Sequence, residues 1–520
     1  MDIDVLIIGA GPTGLMLANQ LGRRGVRVMI VDKHSGPAQQ TRAMAVHART
    51  LEIYSKLGIA EQALALGRRG NAANMWAAGK RMARIPLGDI GKTVSPYPFV
   101  LMLGQDDNER ILGEHLNQQG IFVQWNTELI ALSQTADAVA ATLQLPGGSQ
   151  RKISAAYIAG CDGGHSAVRE FCDIKFPGAP YEHVFFVADT EAIGNMVPEE
   201  LNVYLWRDGF HLFFPMAGKD RWRVIGILPE RLRGEDDVAF STLSPSIQQE
   251  VGVNLEFKAC SWFSTYRIAH RAAEKFRDKR CFLLGDAAHI HSPMGGQGMN
   301  TGLQDAYNLA WKLAMVIKGK ASEKLLDTYE TERLPVAQGL LRTTDRAFNM
   351  LVSNHWLAGV FRTRILAKIA AFAMRFESVQ QRAFRTVSQT GIHYRNSALS
   401  QTLAVHSPNA PKAGDRFPWL QLKLQTDGPV EDIFQKMDDL HFHLIVIGQH
   451  APEAIHKLND WVITHVIPQD VHNTQALARM GITGTAFYLV RPDGYIGLAG
   501  GHLAMSVVEA YLCGGWNEFI

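Results

Sequence analysis

The first residues that could do chemistry stand near the start of the chain. Gly9-Ala10-Gly11-Pro12-Thr13-Gly14 follows the apolar run Val5-Leu6-Ile7-Ile8 and precedes Leu17 and Leu21, which repeat at helical spacing. Glycines so placed let backbone N–H groups approach a pyrophosphate, whose charge then meets the positive end of the following helix. Asp32 closes the next strand-like run eighteen positions after Gly14, close to where an acid takes a ribose hydroxyl. Gly9, Gly11, Gly14 and Asp32 are therefore candidates for holding a dinucleotide, and this motif alone suits FAD and NAD equally.

Two later motifs continue the theme. Gly160-Cys161-Asp162-Gly163-Gly164-His165-Ser166-Ala167-Val168-Arg169 ends an apolar strand-like segment. Cys281-Phe282-Leu283-Leu284-Gly285-Asp286-Ala287-Ala288-His289 is again a strand running into Gly-Asp. Pro293, Gly295-Gly296-Gln297-Gly298-Met299-Asn300 and a helix with Ala306, Ala310, Leu313 and Ile317 on one face follow it.

In this order the three motifs resemble the single-component FAD-dependent aromatic hydroxylases, the family of phenol and hydroxybenzoate hydroxylases. The resemblance runs from the N-terminus to about Asp345. It implies an FAD held by Gly9, Gly11, Gly14, Asp32, Arg42, Gln105, Asp162, Asp286, Gly298, Met299 and Asn300. Asp162 and Arg169 would also serve reduced nicotinamide, NADPH before NADH. The competing view of Arg169 is a brace paired with Asp162. The resemblance further implies that oxygen adds to the reduced flavin and that the hydroperoxide attacks a phenolic or polyketide-like ring. Backbone around Pro293, Gly295 and Gly298 would border that oxygen. Chemical sense agrees: Asp286 at a strand end suits a ribityl hydroxyl, and a helix beginning near Asn300 favours negative charge on a reduced ring. Gln105 precedes a helix for which Asp106 is the expected cap, with Glu109 three residues on. Epoxidation, Baeyer–Villiger oxidation and a non-catalytic FAD scaffold are the alternatives; no Trp-x-Trp-x-Ile-Pro is present to suggest halogenation.

His289 and His291 invite a metal, but no carboxylate or cysteine stands at ligand spacing. His289 is expected to bond backbone within its own loop.

Strand-like segments at Phe185–Ala188, Val203–Trp206, His211–Phe214 and Trp222–Ile225, with Asp208-Gly209 as a hairpin signal, predict an antiparallel sheet forming one wall of a pocket over the flavin. Trp206, His211, Phe213 and Trp222 are the candidate substrate contacts. Strand parity, which the sequence leaves open, decides whether they face a ligand or the core.

Proline at Pro335 is expected to end the helical pattern before it, and a helical stretch follows to about Thr390. Ala413-Gly414-Asp415-Arg416-Phe417-Pro418, Leu444–Ile447, Gly484–Val490 and Arg491-Pro492-Asp493-Gly494-Tyr495 resemble the thioredoxin-like domain of the phenol and polyketide hydroxylase branch. Without Cys-x-x-Cys it would be redox-inert and serve packing or a homodimer contact. The expected α/β architecture is thus a Rossmann-like FAD domain (1–180 and, with a helical extension, 271–395), an inserted sheet (181–270) and a thioredoxin-like domain (396–520).

Bulk properties agree with several domains in 520 residues. A net charge of +2, from 52 basic and 50 acidic residues, gives no footprint for nucleic acid or anionic lipid. The acidic Met1-Asp2-Ile3-Asp4 is unlike a signal peptide, and the apolar region Leu351–Met374 is broken by Arg362, Arg364 and Lys368. Five scattered cysteines suit a reducing cytoplasm.

Overall fold

The computed structural model describes residues 3–38, 43–88, 90–207, 209–216, 218–232, 238–292, 294–352, 359, 361–403, 407–452 and 460–513. Four parallel strands form the floor of the site. Ile3–Ile8 pairs with Val28–Val31 on one side and Gln150–Gly160 on the other, and Gln150–Gly160 pairs in turn with Cys281–Leu283. Val5, Leu6, Ile7, Ile158, Phe282 and Leu283 have no exposed surface, as continuous apolar runs require when a sheet is covered on both faces. The three motifs leave the carboxyl ends of these adjacent strands, the edge where open α/β sheets bind ligands.

Helix α1 (Pro12–Arg23) follows the first strand, α2 (Ala48–Leu57) the second, and α3 (Gln105–Gln118) lies against α1, where Asn19 donates to the carbonyl of Leu112 at 2.9 Å. The cap of α3 is Gly104 and not Asp106, which sits in the first turn. An acid there still favours the helix through its dipole, which is why the sequence signal sits just inside the true boundary.

A second sheet of eight strands stands over this edge. Its spatial order is His289–Ile290, Leu255–Ala272, Gly178–Gly194, Arg221–Ile227, Gly209–Pro215, Leu201–Trp206, Ala72–Ala77 and Lys80–Pro86. Neighbours are antiparallel except Ala72–Ala77, which runs parallel to Leu201–Trp206. The sheet is therefore wider than the segment 181–270: a hairpin from the first segment extends it. That hairpin turns at Ala78-Gly79, both at positive φ (49° and 72°), with an alanine where asparagine or aspartate would have signalled the turn. Helix α4 (Phe240–Val251) covers one face, where Leu243, Ile247 and Val251 pack with Phe186, Tyr204, Phe213, Trp222 and Val224. The opposite face carries Tyr181, Phe185, Leu205, Phe210, Ile227 and Ile268.

Helix α5 (Gly298–Ile317) is buried along most of its length. Helix α6 (Lys324–Val352) then runs through Pro335 without ending there. Proline removes one bond to the carbonyl of Thr331, but the neighbouring Glu332 and Arg333 are fixed in buried ion pairs that hold the helix on its course.

The C-terminal region contains a five-stranded sheet ordered Gln401–Thr402, Ile496–Gly500, Ala486–Val490, Phe442–Ile447 and Val462–Ile467. Leu444, Val446, Phe487 and Leu489 on one side share a core with Trp311 of α5, which docks this sheet on the first. Among the described residues no helix is long and apolar enough to cross a membrane.

Candidate functional site

Close packing explains the glycines of the first motif. Gly9 has φ +101°, and a Cβ on it would lie 2.3 Å from the carbonyl oxygen of Cys161; one on Gly14 would lie 2.0 Å from the oxygen of Gly9. A Cβ on Gly11 would meet nothing within 4 Å, so space lies open beside the start of α1. That helix has no side-chain cap, and Pro12 brings no N–H. Among the described residues the N–H groups of Gly11, Thr13 and Gly14 have no acceptor. Bare donors beside open space, at the positive end of a helix, make an anion site.

The Gly-Asp motif is locked to this cradle. A Cβ on Gly302 would sit 2.3 Å from Thr13 Oγ1, and one on Gly285 2.7 Å from it, so α1, the Gly-Asp turn and α5 meet at one threonine. Asp286, next to this contact, is exposed. Asp32 Oδ2 accepts from the Ala10 N–H at 2.7 Å, while Oδ1 accepts from the His34 N–H at 2.9 Å and lies 2.7 Å from His34 Nδ1, which leaves a lone pair on Oδ2 for a ribose. Asp162 Oδ2 accepts from Val168 N–H at 3.2 Å, and its Oδ1 is buried with no partner among the described residues. Burial pushes the Asp162 carboxyl up. Arg169 donates to the carbonyls of Ala287 at 2.9 Å and Gly164 at 2.8 Å, so it ties the two motif loops together through their backbones.

The start of α5 is a second bare helix end. No side chain caps it, and the N–H groups of Gly298, Met299 and Asn300 have no acceptor among the described residues. The Asn300 side chain is spent on the fold: it donates to Ala45 O (2.8 Å) and Gly296 O (2.9 Å) and accepts from His47 N–H and Thr50 Oγ1. What it offers a ligand is its backbone N–H. Gly295, at φ +77°, presents its carbonyl to His47 Nε2 at 2.8 Å. Gln105 donates to Glu109 Oε1 at 2.9 Å and receives its own place from a backbone bond to Ala43 O at 3.1 Å. Arg42 and Pro293 lie outside the described residues.

His289 departs from expectation. Its Nε2 lies 2.7 Å from Asp305 Oδ2 on α5, and Asp305 also receives Arg333 Nε at 2.6 Å and Gly285 N–H at 3.1 Å. A buried carboxylate two turns into α5 outcompetes the loop backbone for that imidazole.

The four candidate substrate contacts lie on the α4 side of the sheet. Phe213 and Trp222 are core residues beneath α4, His211 pairs with Glu250 of α4 at 2.6 Å, and Trp206 stacks on His211 with centroids 5.9 Å apart. That face is filled by a helix. Strand alternation sends Phe210 and Leu212 to the other face, with Phe185, Tyr266 and Met75. There Tyr181 hydrogen-bonds Asp345 of α6, the helix that also contacts Met294–Gly296. This second face, which the sequence did not single out, carries its own apolar cluster beside α6. His47, bonded to Gly295, and the Tyr181–Asp345 pair stand beside these loops and were not singled out by the sequence.

Two bare helix starts and three acids at neighbouring strand ends define a dinucleotide-binding protein. The donor set and the orphaned Asp162 oxygen fit FAD. The chain belongs to the FAD binding domain family, which it matches over residues 2–344. It is 32% identical over 519 residues to 6-methylpretetramide 4-monooxygenase of Streptomyces rimosus, covering 98% of this chain and 92% of that one. It is 33% identical over 436 residues to pentachlorophenol 4-monooxygenase of Sphingobium chlorophenolicum, covering 81% and 76%. An anhydrotetracycline hydroxylase from Streptomyces rimosus has the same fold, with a TM-score of 0.76, 29% identity and 96% of each chain covered. The activity is that of an FAD-dependent monooxygenase.

Proposed function

We propose that this monooxygenase hydroxylates a polycyclic phenolic ring of the polyketide kind, with NADPH as electron donor. The observation that carries the substrate class is the apolar, ring-bearing face of the second sheet, Phe185, Phe210, Leu212 and Tyr266, turned toward α6 and the loop before α5. Flat fused rings bury more apolar surface on such a face than a single phenol, at about 25 cal/mol per Å². Near-complete alignment with the pretetramide enzyme supports the same class.

Bound FAD supplies electron transfer from reduced nicotinamide and the activation of oxygen. The residues of the chain bind and orient. The pyrophosphate is assigned to the N–H groups of Gly11, Thr13 and Gly14, a ribose to Asp32, and the ribityl chain to Asp286 and Gln105. Gly298, Met299 and Asn300 N–H groups would face the ring and favour negative charge there. Gly295 and Gly298 would let the backbone border the reacting oxygen, and the second sheet would keep water from it. Asp162 is assigned to the dinucleotide edge. The C-terminal sheet is assigned a packing role.

NADPH oxidation by the flavin-loaded protein should accelerate severalfold with a fused-ring phenol, and the product should gain one oxygen atom. Turnover of a ketone or alkene, with no acceleration across naphthols and hydroxyanthraquinones, would overturn the assignment.

A further inference from the structure

Where the second sheet meets the loop before α5, several polar side chains gather that the cofactor contacts leave unused: Tyr181, His270, His291 and Asp345. Tyr181 donates to Asp345 Oδ1, and its ring stands edge-on to His270 with centroids 5.0 Å apart. His270 Nδ1 is buried with no partner among the described residues. The centre of the group is His291. Its Nδ1 lies 2.7 Å from the carbonyl oxygen of Ser292. A carbonyl can only accept, so Nδ1 carries the proton and Nε2 presents a lone pair. That Nε2 is shielded from solvent, has no partner among the described residues, and would lie 3.4 Å from a Cβ built on Gly298, the first residue of α5.

A buried acceptor left open costs about 1–3 kcal/mol, so a ligand donor is the economical way to complete it. The occupant must offer an O–H or N–H beside the start of α5 and be flat enough to pass under the apolar sheet face. Resting on the reading of the substrate as a phenol, we propose that His291 Nε2 accepts the hydrogen bond of the substrate hydroxyl and fixes which ring edge faces the helix start. Burial holds this imidazole down at about 4, so it is a neutral acceptor at physiological pH, with His289 and Asp345 as its nearest titratable neighbours. A group so weakly basic orients a resting phenol and does not remove its proton. His291 is thus a positioning residue for regiochemistry, distinct from the Asp305-paired His289 two residues before it.

The test compares 1-naphthol with its methyl ether, 1-methoxynaphthalene, bound to the FAD-loaded enzyme and followed through perturbation of the flavin absorbance. The wild type should prefer the naphthol about tenfold, the worth of one well-placed hydrogen bond. His291→Phe should bring the two to within about twofold, and His291→Gln, whose amide oxygen reaches the place of Nε2, should restore most of the preference. Flavin content and melting temperature measured alongside separate this from misfolding. An undiminished preference in His291→Phe overturns the proposal. Equal affinity of both compounds for the wild type overturns it while leaving the aromatic reading intact. No flavin perturbation by either compound overturns both.

Discussion

The two ends of α5 treat buried polar groups in opposite ways. At its start the N–H groups of Gly298, Met299 and Asn300, the Nε2 of His291 and the Nδ1 of His47 have no partners among the described residues. Toward its other end, at the junction with the C-terminal sheet, the buried charges around Glu332 are held by counter-charges. Glu332 accepts from Arg491 at 2.6 Å, Lys312 at 2.8 Å, Asn308 at 2.7 Å and Ser397 at 2.7 Å. Asp493 accepts from Arg491 and, at 3.1 Å, from Trp311 Nε1. Arg333 links Asp305 to the Tyr394 hydroxyl at 2.9 Å. Open groups that persist in a folded protein are completed by a ligand; closed ones hold the frame that keeps them open. One helix thus carries the site at its head and is clamped along its body.

The comparison breaks most violently at the clamp. Glu332→Ala strands Lys312 and part of Arg491 without a counter-charge at a site with no exposed surface, and should cost about 3–5 kcal/mol in guanidinium unfolding. Next come the glycines. Gly14→Ala drives a methyl into the Gly9 carbonyl and should lower both melting temperature and flavin content, whereas Gly11→Ala should leave the melting temperature of the apoprotein unchanged and reduce flavin content alone. Equal thermal losses would refute the division between packing and cradle. Asp286→Ala should weaken FAD retention by about tenfold or more, the worth of a hydrogen bond to a charged group, read from flavin absorbance after dialysis.

Acid should loosen the clamp. Burial by itself would raise Glu332 and Asp305, but Arg491 and Lys312 around the first and Arg333 and His289 around the second more than reverse it, holding both below the ordinary carboxylate range. A carboxylate with a depressed folded pKa contributes its full stability above the unfolded value and loses it as pH falls toward the folded one. Stability should therefore decline as pH drops below about 4.5, and Glu332→Gln should flatten that decline in urea titrations at successive pH values. Smallest is the test of the sheet faces. Phe213→Leu, under α4, should cost about 1 kcal/mol of stability with KM unchanged, while Leu212→Ala on the opposite face should raise KM severalfold.

Much of the floor was legible in the sequence because each of its determinants is local. Val5–Ile8 and Cys281–Leu284 are unbroken apolar runs, and each leads straight into a glycine motif whose backbone role is set by its own neighbours. Asp208 lies outside the described residues, but the strands flanking it pair as a hairpin, Trp206 opposite Gly209. What escaped depends on partners distant in the chain. Which residues of Gly209–Pro215 lie under a helix was decided by α4, about thirty residues later. The long strands Gly178–Gly194 and Leu255–Ala272 shift register after Pro180, Asp189 and Glu191, so counting parity along them fails. The added hairpin Ala72–Pro86 comes from another part of the chain, and Pro335 is carried through its helix by charges from Asp305 and Arg491. His291 could be seen in the sequence but not interpreted, since its meaning lies in the lone pair left over after Ser292 is satisfied.

The central claim, that the open groups at the head of α5 serve oxygen insertion into an aromatic ring, is tested most directly with isotopically labelled dioxygen. Purified enzyme with FAD, NADPH and a hydroxylated fused-ring substrate should yield product in which one oxygen atom derives from the labelled gas, with NADPH consumed in proportion. Substrate recovered unchanged, with the label found entirely in hydrogen peroxide and water across the panel, would contradict it.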